Sequence, residues 1–215
     1  MQKNYITILQ DGESELMIKK SRFICSLKSV SSEEEAKNFI DQRKKEEYKA
    51  NHHCHAFIIN LEKSMLQHSS DDGEPSGTAG MPMLEVLRKN QLENLVAVVT
   101  RYFGGIKLGT GGLIRAYTQA VTQTLDEVGL VEGRLQQTIV LTIHYAQLGK
   151  VQAFFDSHLS YYLIEKRYQE DVQLICSVEE DKKEIFIQAI TELLNGQLTI
   201  EQNGCSYREI PLIKK

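Results

Sequence analysis

The sequence lacks any long hydrophobic run, because no apolar stretch approaches the ~18 residues that suggest a membrane-spanning helix. Its N-terminus also lacks a basic segment followed by a long apolar core, which is the pattern of a secretory signal. We therefore expect a cytoplasmic protein with no membrane partner.

Cysteine is scarce, with four among 215 residues: Cys25, Cys54, Cys176 and Cys205. They are widely spread and form no C-x-x-C pair. This spacing argues against a disulfide framework and against a zinc ribbon. We expect reduced thiols, no bound metal and no cofactor.

A strong excess of basic charge is also absent. Residues 1–134 contain 17 basic and 18 acidic residues, and the remainder contains 8 and 11, so the two parts carry net charges of −1 and −3. Neither part has the charge of a broad nucleic-acid footprint, and no DNA sequence readout is expected. RNA binding would need a local basic patch and would be sensitive to salt.

Several catalytic and nucleotide-binding motifs are missing. The chain contains no G-x-S-x-G or H-E-x-x-H hydrolase motif. It also contains neither G-x-x-x-x-G-K-[ST] nor G-x-G-x-x-G, the phosphate-binding motifs of the P-loop and of dinucleotide-binding domains.

Glycine, in contrast, is concentrated at one place. Five of the 14 glycines lie within nine positions: Gly104, Gly105, Gly109, Gly111 and Gly112. An apolar strand precedes this run and a helical pattern follows it. Glycine permits positive φ and close approach of a ligand, and a helix N-terminus offers unpaired N–H donors.

Basic and aromatic side chains accompany this glycine run. Arg101, Lys107 and Arg115 lie within or beside it, next to Tyr102. We predict an anion-binding site made of these side chains and the five glycine amides. The alternative interpretation is a tight strand-to-helix connection that binds nothing.

The segment 70–80 is the second candidate site. Asp71, Asp72 and Glu74 could bind Mg²⁺ through oxygen atoms, could orient the basic groups of the glycine run, or could form a solvated turn. The ligand spacing of an EF-hand is missing. Thr78 belongs to a possible second cluster of donors, before the helix that we predict from Pro82.

The sequence His52-His53-Cys54-His55 is the third candidate. Alternate side chains of a strand face opposite ways, so these four residues cannot easily share one tetrahedral metal site. We interpret them as core or surface residues. His52 is kept as a candidate general base or anion contact.

Hydrophobic periodicity predicts an α+β protein with a boundary near residue 133, giving domains 1–133 and 134–215. In the second domain, strands at 138–145, 161–168, 172–178 and 198–207 alternate with helices at 147–158 and 182–194 in the order βαββαβ. In the first, we predict strands near 5–9, 15–28, 54–60 and 95–101 and helices at about 32–48, 82–90 and 112–128. Residues 67–82 are turn formers, and no regular element is predicted there.

Three segments together resemble the YigZ/Impact family: NHHCHA, SDDGEPSGTAGMPML and VVTRYFGGIKLGTGGLIRAY. The resemblance implies a first domain similar to the left-handed βαβ fold of elongation factor G domain four and the RNase P protein. It implies a ferredoxin-like second domain, similar to elongation factor G domain five. Eukaryotic members look like regulators of translation initiation, whereas bacterial members have no settled activity.

The predicted function is therefore that of a non-enzymatic regulator linked to translation, which binds RNA, the ribosome or a translation-related protein. Arg101, Lys107 and Arg115 would contact phosphate, and Tyr102 or Phe103 would stack on a base. One alternative is an enzyme acting on a small phosphorylated or carboxylated substrate in the same cleft. Another is a module that binds only proteins.

Overall fold

Within residues 4–61 and 64–212, which the computed structural model describes, the chain forms ten β-strands and five α-helices. Two compact units consist mainly of Tyr5–Glu132 and Gly133–Glu209. The elements in chain order are β1 (Tyr5–Ile8), β2 (Gly12–Ile18), β3 (Ser21–Ser29), α1 (Glu33–Glu46), β4 (His52–Asn60), β5 (Met65–Ser70), α2 (Gly80–Lys89), β6 (Leu95–Tyr102), α3 (Thr110–Val128), β7 (Leu130–Ile143), α4 (Leu148–Ser157), β8 (Tyr161–Tyr168), β9 (Val172–Glu179), α5 (Lys183–Leu193) and β10 (Thr199–Pro211).

The first unit is built on one sheet with the strand order β2-β3-β6-β4-β5, in which all neighbours run antiparallel. β6 lies at the centre, and its Val99 is paired with Cys25 on one side and Cys54 on the other. The five residues from Leu95 to Val99 are all buried. A continuous apolar run of this kind is typical of a strand covered on both faces.

Alternate residues of these strands face two different hydrophobic cores. Phe23, Leu27 and Ala97 pack with α2 and α3 on one face of the sheet. Val96 and Val98 pack with α1 on the other face. This division follows from the two-residue period of side chains along a strand.

The two helical crossovers of this sheet have opposite hands. β3 and β4 are parallel because both run antiparallel to β6, and β5 and β6 are parallel because both run antiparallel to β4. The crossover from β3 to β4 and the crossover from β5 to β6 step across the sheet in opposite directions, and their strands also point in opposite directions. Rotating the sheet by 180° about its normal therefore superimposes the strands of one crossover on those of the other. If both helices lay on the same face, the two crossovers would have the same hand. Because α1 and α2 lie on opposite faces, one crossover is left-handed, against the usual preference for right-handed connections.

The second unit has the order βαββαβ, with strands arranged as β10-β7-β9-β8. This is the ferredoxin-like arrangement. α4 and α5 contribute Val151, Phe155 and Phe186 to a core shared with β7 and β9. The predicted α+β class, with a left-handed crossover in the first domain and a ferredoxin-like second domain, is confirmed.

The prediction that residues 67–82 form no regular element is wrong at both ends of this range, since α2 already begins at Gly80. β5 runs from Met65 to Ser70 and pairs with β4 as an edge strand. Its residues are mostly polar and half-exposed, so no hydrophobic alternation marks it. None of the described helices is both long and apolar enough to cross a membrane.

Candidate functional site

A cleft of about 450 Å³ opens where β6 ends and α3 begins. The start of β4 and the segment after β5 complete its wall. The polar or exposed residues lining it include His52, Glu74, Arg101, Phe103, Lys107 and Thr110. It therefore unites members of the glycine run, the acidic segment and the histidine cluster.

A buried ion pair forms the floor of the cleft. Arg101 Nη1 lies 2.5 Å from Glu74 Oε1, and the two residues are 5% and 8% exposed. Tyr117 of α3 donates its hydroxyl to the same Glu74 oxygen at 2.8 Å. The carboxylate is thus held by two donors, which a charge removed from water requires.

Two ionisable groups beside this pair stay neutral. Burial raises the pKa of the Cys54 thiol to about 12, and burial also raises the pKa of Tyr117. Cys54 donates to the carbonyl oxygen of Asp71 at 2.9 Å. A protonated, buried thiol is not a nucleophile, so Cys54 serves packing and hydrogen bonding here.

Arg101 also contacts aromatic side chains, one in the core and one at the edge of the cleft. Its guanidinium carbon lies 5.3 Å from the ring centroid of Phe23 and 5.6 Å from that of Phe103. Its Nη2 donates to Ser21 Oγ at 3.4 Å, while Nε is buried with no partner among the described residues. The Phe103 ring is 45% exposed, so it offers an aromatic face at the edge of the cleft.

His52 presents one ring nitrogen to the cleft. Its Nδ1 lies 2.9 Å from the carbonyl oxygen of Asp72. Because a carbonyl only accepts, Nδ1 must carry a hydrogen, and in the neutral ring Nε2 is then the acceptor. Nε2 lies 4.0 Å from Glu74 Oε1. His52 can therefore accept a proton or a hydrogen bond from a bound molecule.

The carboxylate of Asp71 is hydrogen-bonded to backbone amides. It accepts hydrogen bonds from the amides of Gly77, Ala79 and Gly80 at 2.8–2.9 Å, and so holds the start of α2. Burial opposes its ionisation, but these three donors outweigh burial and lower its pKa. Its role is that of a remote helix cap.

The carboxylate of Asp72 has partners as well. It pairs with Lys44 Nζ at 3.0 Å and accepts the His53 amide at 2.6 Å. Burial again opposes ionisation, and these donors together lower its pKa. Thr78 donates its hydroxyl to the carbonyl of Pro75 at 2.6 Å, so it is not aimed at a ligand. No group of three or more potential ligands among the described residues is arranged to hold a metal ion.

The glycine run divides into a packed part and an open part. A Cβ on Gly104 would lie 2.0 Å from the carbonyl group of Lys20, so only glycine fits there. Gly105 and Gly109 have φ values of +83° and +70°, the left-handed region that glycine tolerates. Gly111 and Gly112 lie in the first turn of α3.

The first turn of α3 carries free donors. The amide of Leu113 bonds to the Gly109 carbonyl, whereas the amides of Thr110, Gly111 and Gly112 have no acceptor among the described residues. No acidic side chain lies in this turn. Lys107 is exposed and likewise has no ionic partner in the described chain. The opening of the cleft is therefore basic.

Of the residues predicted for the glycine-run site, only Arg101, Lys107 and Gly109 line the cleft, and Tyr102 and Arg115 make their contacts elsewhere. Tyr102 donates its hydroxyl to Glu47 Oε2 at 2.5 Å, and this hydrogen bond raises its pKa. Arg115 lines a groove on the outer side of α3 together with Ile114 and Thr118. Tyr102 follows Arg101 on the strand and so faces the other way.

Sequence reasoning missed the support beneath the cleft. Tyr117 lies in α3 among core positions, and its hydroxyl needs a buried partner there. This need for a partner could have indicated that a polar group lies beneath the cleft. Ser21 gave no signal, because it meets Arg101 only through the pairing of β3 with β6.

Together, the fold and the site define a two-unit α+β protein with a basic cleft beside its glycine run, of which Gly109 lines the wall. The Impact N-terminal domain family matches residues 19–125, and a domain of unknown function, DUF1949, matches residues 141–197. The chain belongs to the IMPACT family.

Relatives over nearly the whole chain support this assignment. The chain is 46% identical over 209 residues to IMPACT family member YvyE of Bacillus subtilis (strain 168), covering 97% of this chain and 95% of that protein. It is 36% identical over 184 residues to IMPACT family member YigZ of Escherichia coli (strain K12), covering 85% and 90%. A crystal structure of a hypothetical protein is similar with a TM-score of 0.60 at 33% identity, covering 93% of this chain and 97% of that one.

Proposed function

We propose that the protein is a non-enzymatic regulator linked to translation, which binds single-stranded RNA at the basic cleft beside its glycine run. The observation that carries the proposal is the meeting of free cationic and amide donors with an exposed aromatic ring at one opening. The link to translation rests on the resemblance to eukaryotic members of the family.

The charges around the cleft favour an anionic partner. Glu74 is paired with Arg101, Asp72 is paired with Lys44, and Asp71 accepts hydrogen bonds from three backbone amides. Lys107 and the first amides of α3 have no such compensation within the described residues. A helix N-terminus with an adjacent cation suits a phosphate group.

The exposed ring of Phe103 favours a single strand over a duplex. Its backbone amide donates to Asn51 Oδ1 at 2.8 Å, which fixes the position of the residue at the rim. A side-chain ring can stack on a base only when that base is unpaired. Such stacking contributes about 1–3 kcal/mol per base and tolerates any sequence.

Fluorescence anisotropy with a short labelled single-stranded RNA, titrated over a range of KCl concentrations, tests the proposal. Replacing Lys107→Gln is expected to lower the salt slope of log K by about 0.7, because one phosphate contact is lost. Phe103→Ala is expected to weaken binding by at least about fivefold at every salt concentration. Lys89→Gln, at the far end of α2, is the matched control.

An RNA affinity that does not depend on salt, or that is the same in the Lys107→Gln and Lys89→Gln variants, would refute the proposal. So would equal binding of a fully paired duplex and the single strand, since a duplex offers no free base to Phe103.

His52 favours one alternative, an enzyme acting on a small anionic substrate. Its Nε2 acceptor lies in the same cleft, and its orientation is fixed by the Asp72 carbonyl. Such an enzyme would be stabilised by its substrate through mass action. If a library of phosphorylated and carboxylated metabolites gives no increase in Tm, this alternative loses its support.

A further inference from the structure

The β2–β3 hairpin closes with a turn of unusual composition. Ile18 pairs with Ser21, which leaves Lys19 and Lys20 as the two turn residues. Their φ values are +46° and +66°. Two-residue hairpin turns with positive φ at both positions strongly prefer Asn-Gly or a similar pair, because a Cβ is unfavourable there. Two consecutive lysines in this conformation are strained.

These lysines also lack counter-ions. Both residues are exposed, and neither makes an ion pair, hydrogen bond or ring contact with any described residue. The neighbouring Arg22, in contrast, pairs with Glu15 at 2.8 Å. Two consecutive lysines therefore occupy a costly backbone geometry, and their side chains make no contact with the described residues that would account for it. Strain of this kind in a well-packed protein is a reason to look for function.

The lysine turn packs directly against the glycine run. The carbonyl of Lys20 lies against Gly104 so closely that no side chain fits at Gly104. Ser21, which is fully buried, accepts the Gly104 amide at 3.2 Å and also contacts Arg101. Lys107 follows Gly104 by three residues, which limits their separation to about 10 Å. The lysine turn thus borders the same cleft opening.

We propose that Lys19 and Lys20 form a second phosphate-binding element, which holds the RNA strand on the opposite side of Gly104 from Lys107. This inference rests on the proposed function. It extends the site to a hairpin that contributes no residue to the lining of the cleft. Single-stranded RNA would run from the lysine turn past Phe103 toward the start of α3.

Replacing both residues of the lysine turn separates the effect of their charge on RNA binding from the effect of their backbone strain on stability. The double variant Lys19→Asn/Lys20→Gly introduces the pair that this turn prefers while removing both charges. We expect its Tm to equal or exceed that of the unmodified protein. We expect its RNA affinity to fall by about 20-fold near 0.1 M KCl, and the salt slope of log K to fall by about 1.4, because two contacts to a single strand are lost.

The double variant Lys28→Gln/Lys89→Gln is the matched control. It removes the same charge from the same unit, but Lys28 lies eight residues along the chain from Lys20, about 26 Å in a strand. We expect this control to retain both the affinity and the slope.

Three outcomes decide the inference. If RNA binds and depends on Lys107, but the turn variant binds as well as the control, the inference is overturned and the proposed function stands. If both double variants lose affinity equally, the effect is one of net charge, and the inference is again overturned. If the unmodified protein shows no salt-dependent RNA binding, the proposed function and the inference fail together.

Discussion

At the scale of single residues, Glu74 supplies the negative charge that stabilises the buried Arg101. It compensates a guanidinium that is almost completely buried, and it accepts the hydroxyl of Tyr117 as well. Replacing Glu74→Ala would leave Arg101 with an uncompensated buried charge. We expect a loss of about 3–5 kcal/mol in the free energy of unfolding, measured by urea titration.

An exposed pair provides the comparison. Glu85 pairs with Arg88 at 2.6 Å on the surface of α2, and both side chains are a little under half exposed to water. Glu85→Ala should change the free energy of unfolding by less than about 1 kcal/mol. Adding Arg101→Met to Glu74→Ala should recover part of the loss, since the unpaired charge is then gone. Equal stabilities of the Glu74→Ala and Glu85→Ala variants would contradict this account.

At the scale of elements, the glycine run connects β6 to α3 and packs against the β2–β3 hairpin, and its glycines have different roles. Gly104→Ala would place a methyl group 2.0 Å from the Lys20 carbonyl and push the β2–β3 hairpin away. We expect it to destabilise the protein by about 1–3 kcal/mol or more in urea unfolding.

Gly111 is the internal contrast, because it has helical φ and a Cβ added there would have only the tip of Arg115 within 4 Å. Gly111→Ala should stabilise the protein by about 0.5–1 kcal/mol, since glycine is unfavourable in a helix. A destabilisation as large as that of Gly104→Ala would show that α3 needs glycine for its own conformation.

The same elements show what could be predicted from the sequence. β6 and α3 were predictable because their hydrophobic patterns are local and continuous. The contact of Glu74 with Arg101 was only one of several alternatives, because it depends on strand register and on the path of the chain after β5. The place of the lysine turn beside Gly104 could not be predicted, because it follows from the pairing of β3 with β6.

At the scale of the whole molecule, two buried histidines link stability to pH. Burial lowers the pKa values of His53 and His55 below the ordinary 6.5. Lys44 lowers both further, whereas Asp72 opposes the shift. The folded state therefore binds fewer protons than the unfolded chain as the pH falls through about 6.5. Stability should be constant above this range and should decrease below it.

Urea unfolding between about pH 7.5 and about pH 5.5 would measure this decrease. Hydrogen bonds lower the pKa values of Asp71 and Asp72 from the ordinary aspartate range, so both residues stay ionised throughout that window. The double variant His53→Gln/His55→Gln should show a flatter dependence on pH. An unchanged slope in this variant would assign the dependence to other groups.

The central position of β6 has a consequence for synthesis on the ribosome. β2–β3 and β4–β5 are hairpins that contact each other in the sheet only through β6. Until residue 102 has left the exit tunnel, the nascent chain holds two hairpins with no strand to join them. When β6 pairs with β3 and β4, it completes the sheet and also brings Arg101 into contact with Glu74. We therefore expect the cleft to form only when the first unit is complete, so that an unfinished chain has none.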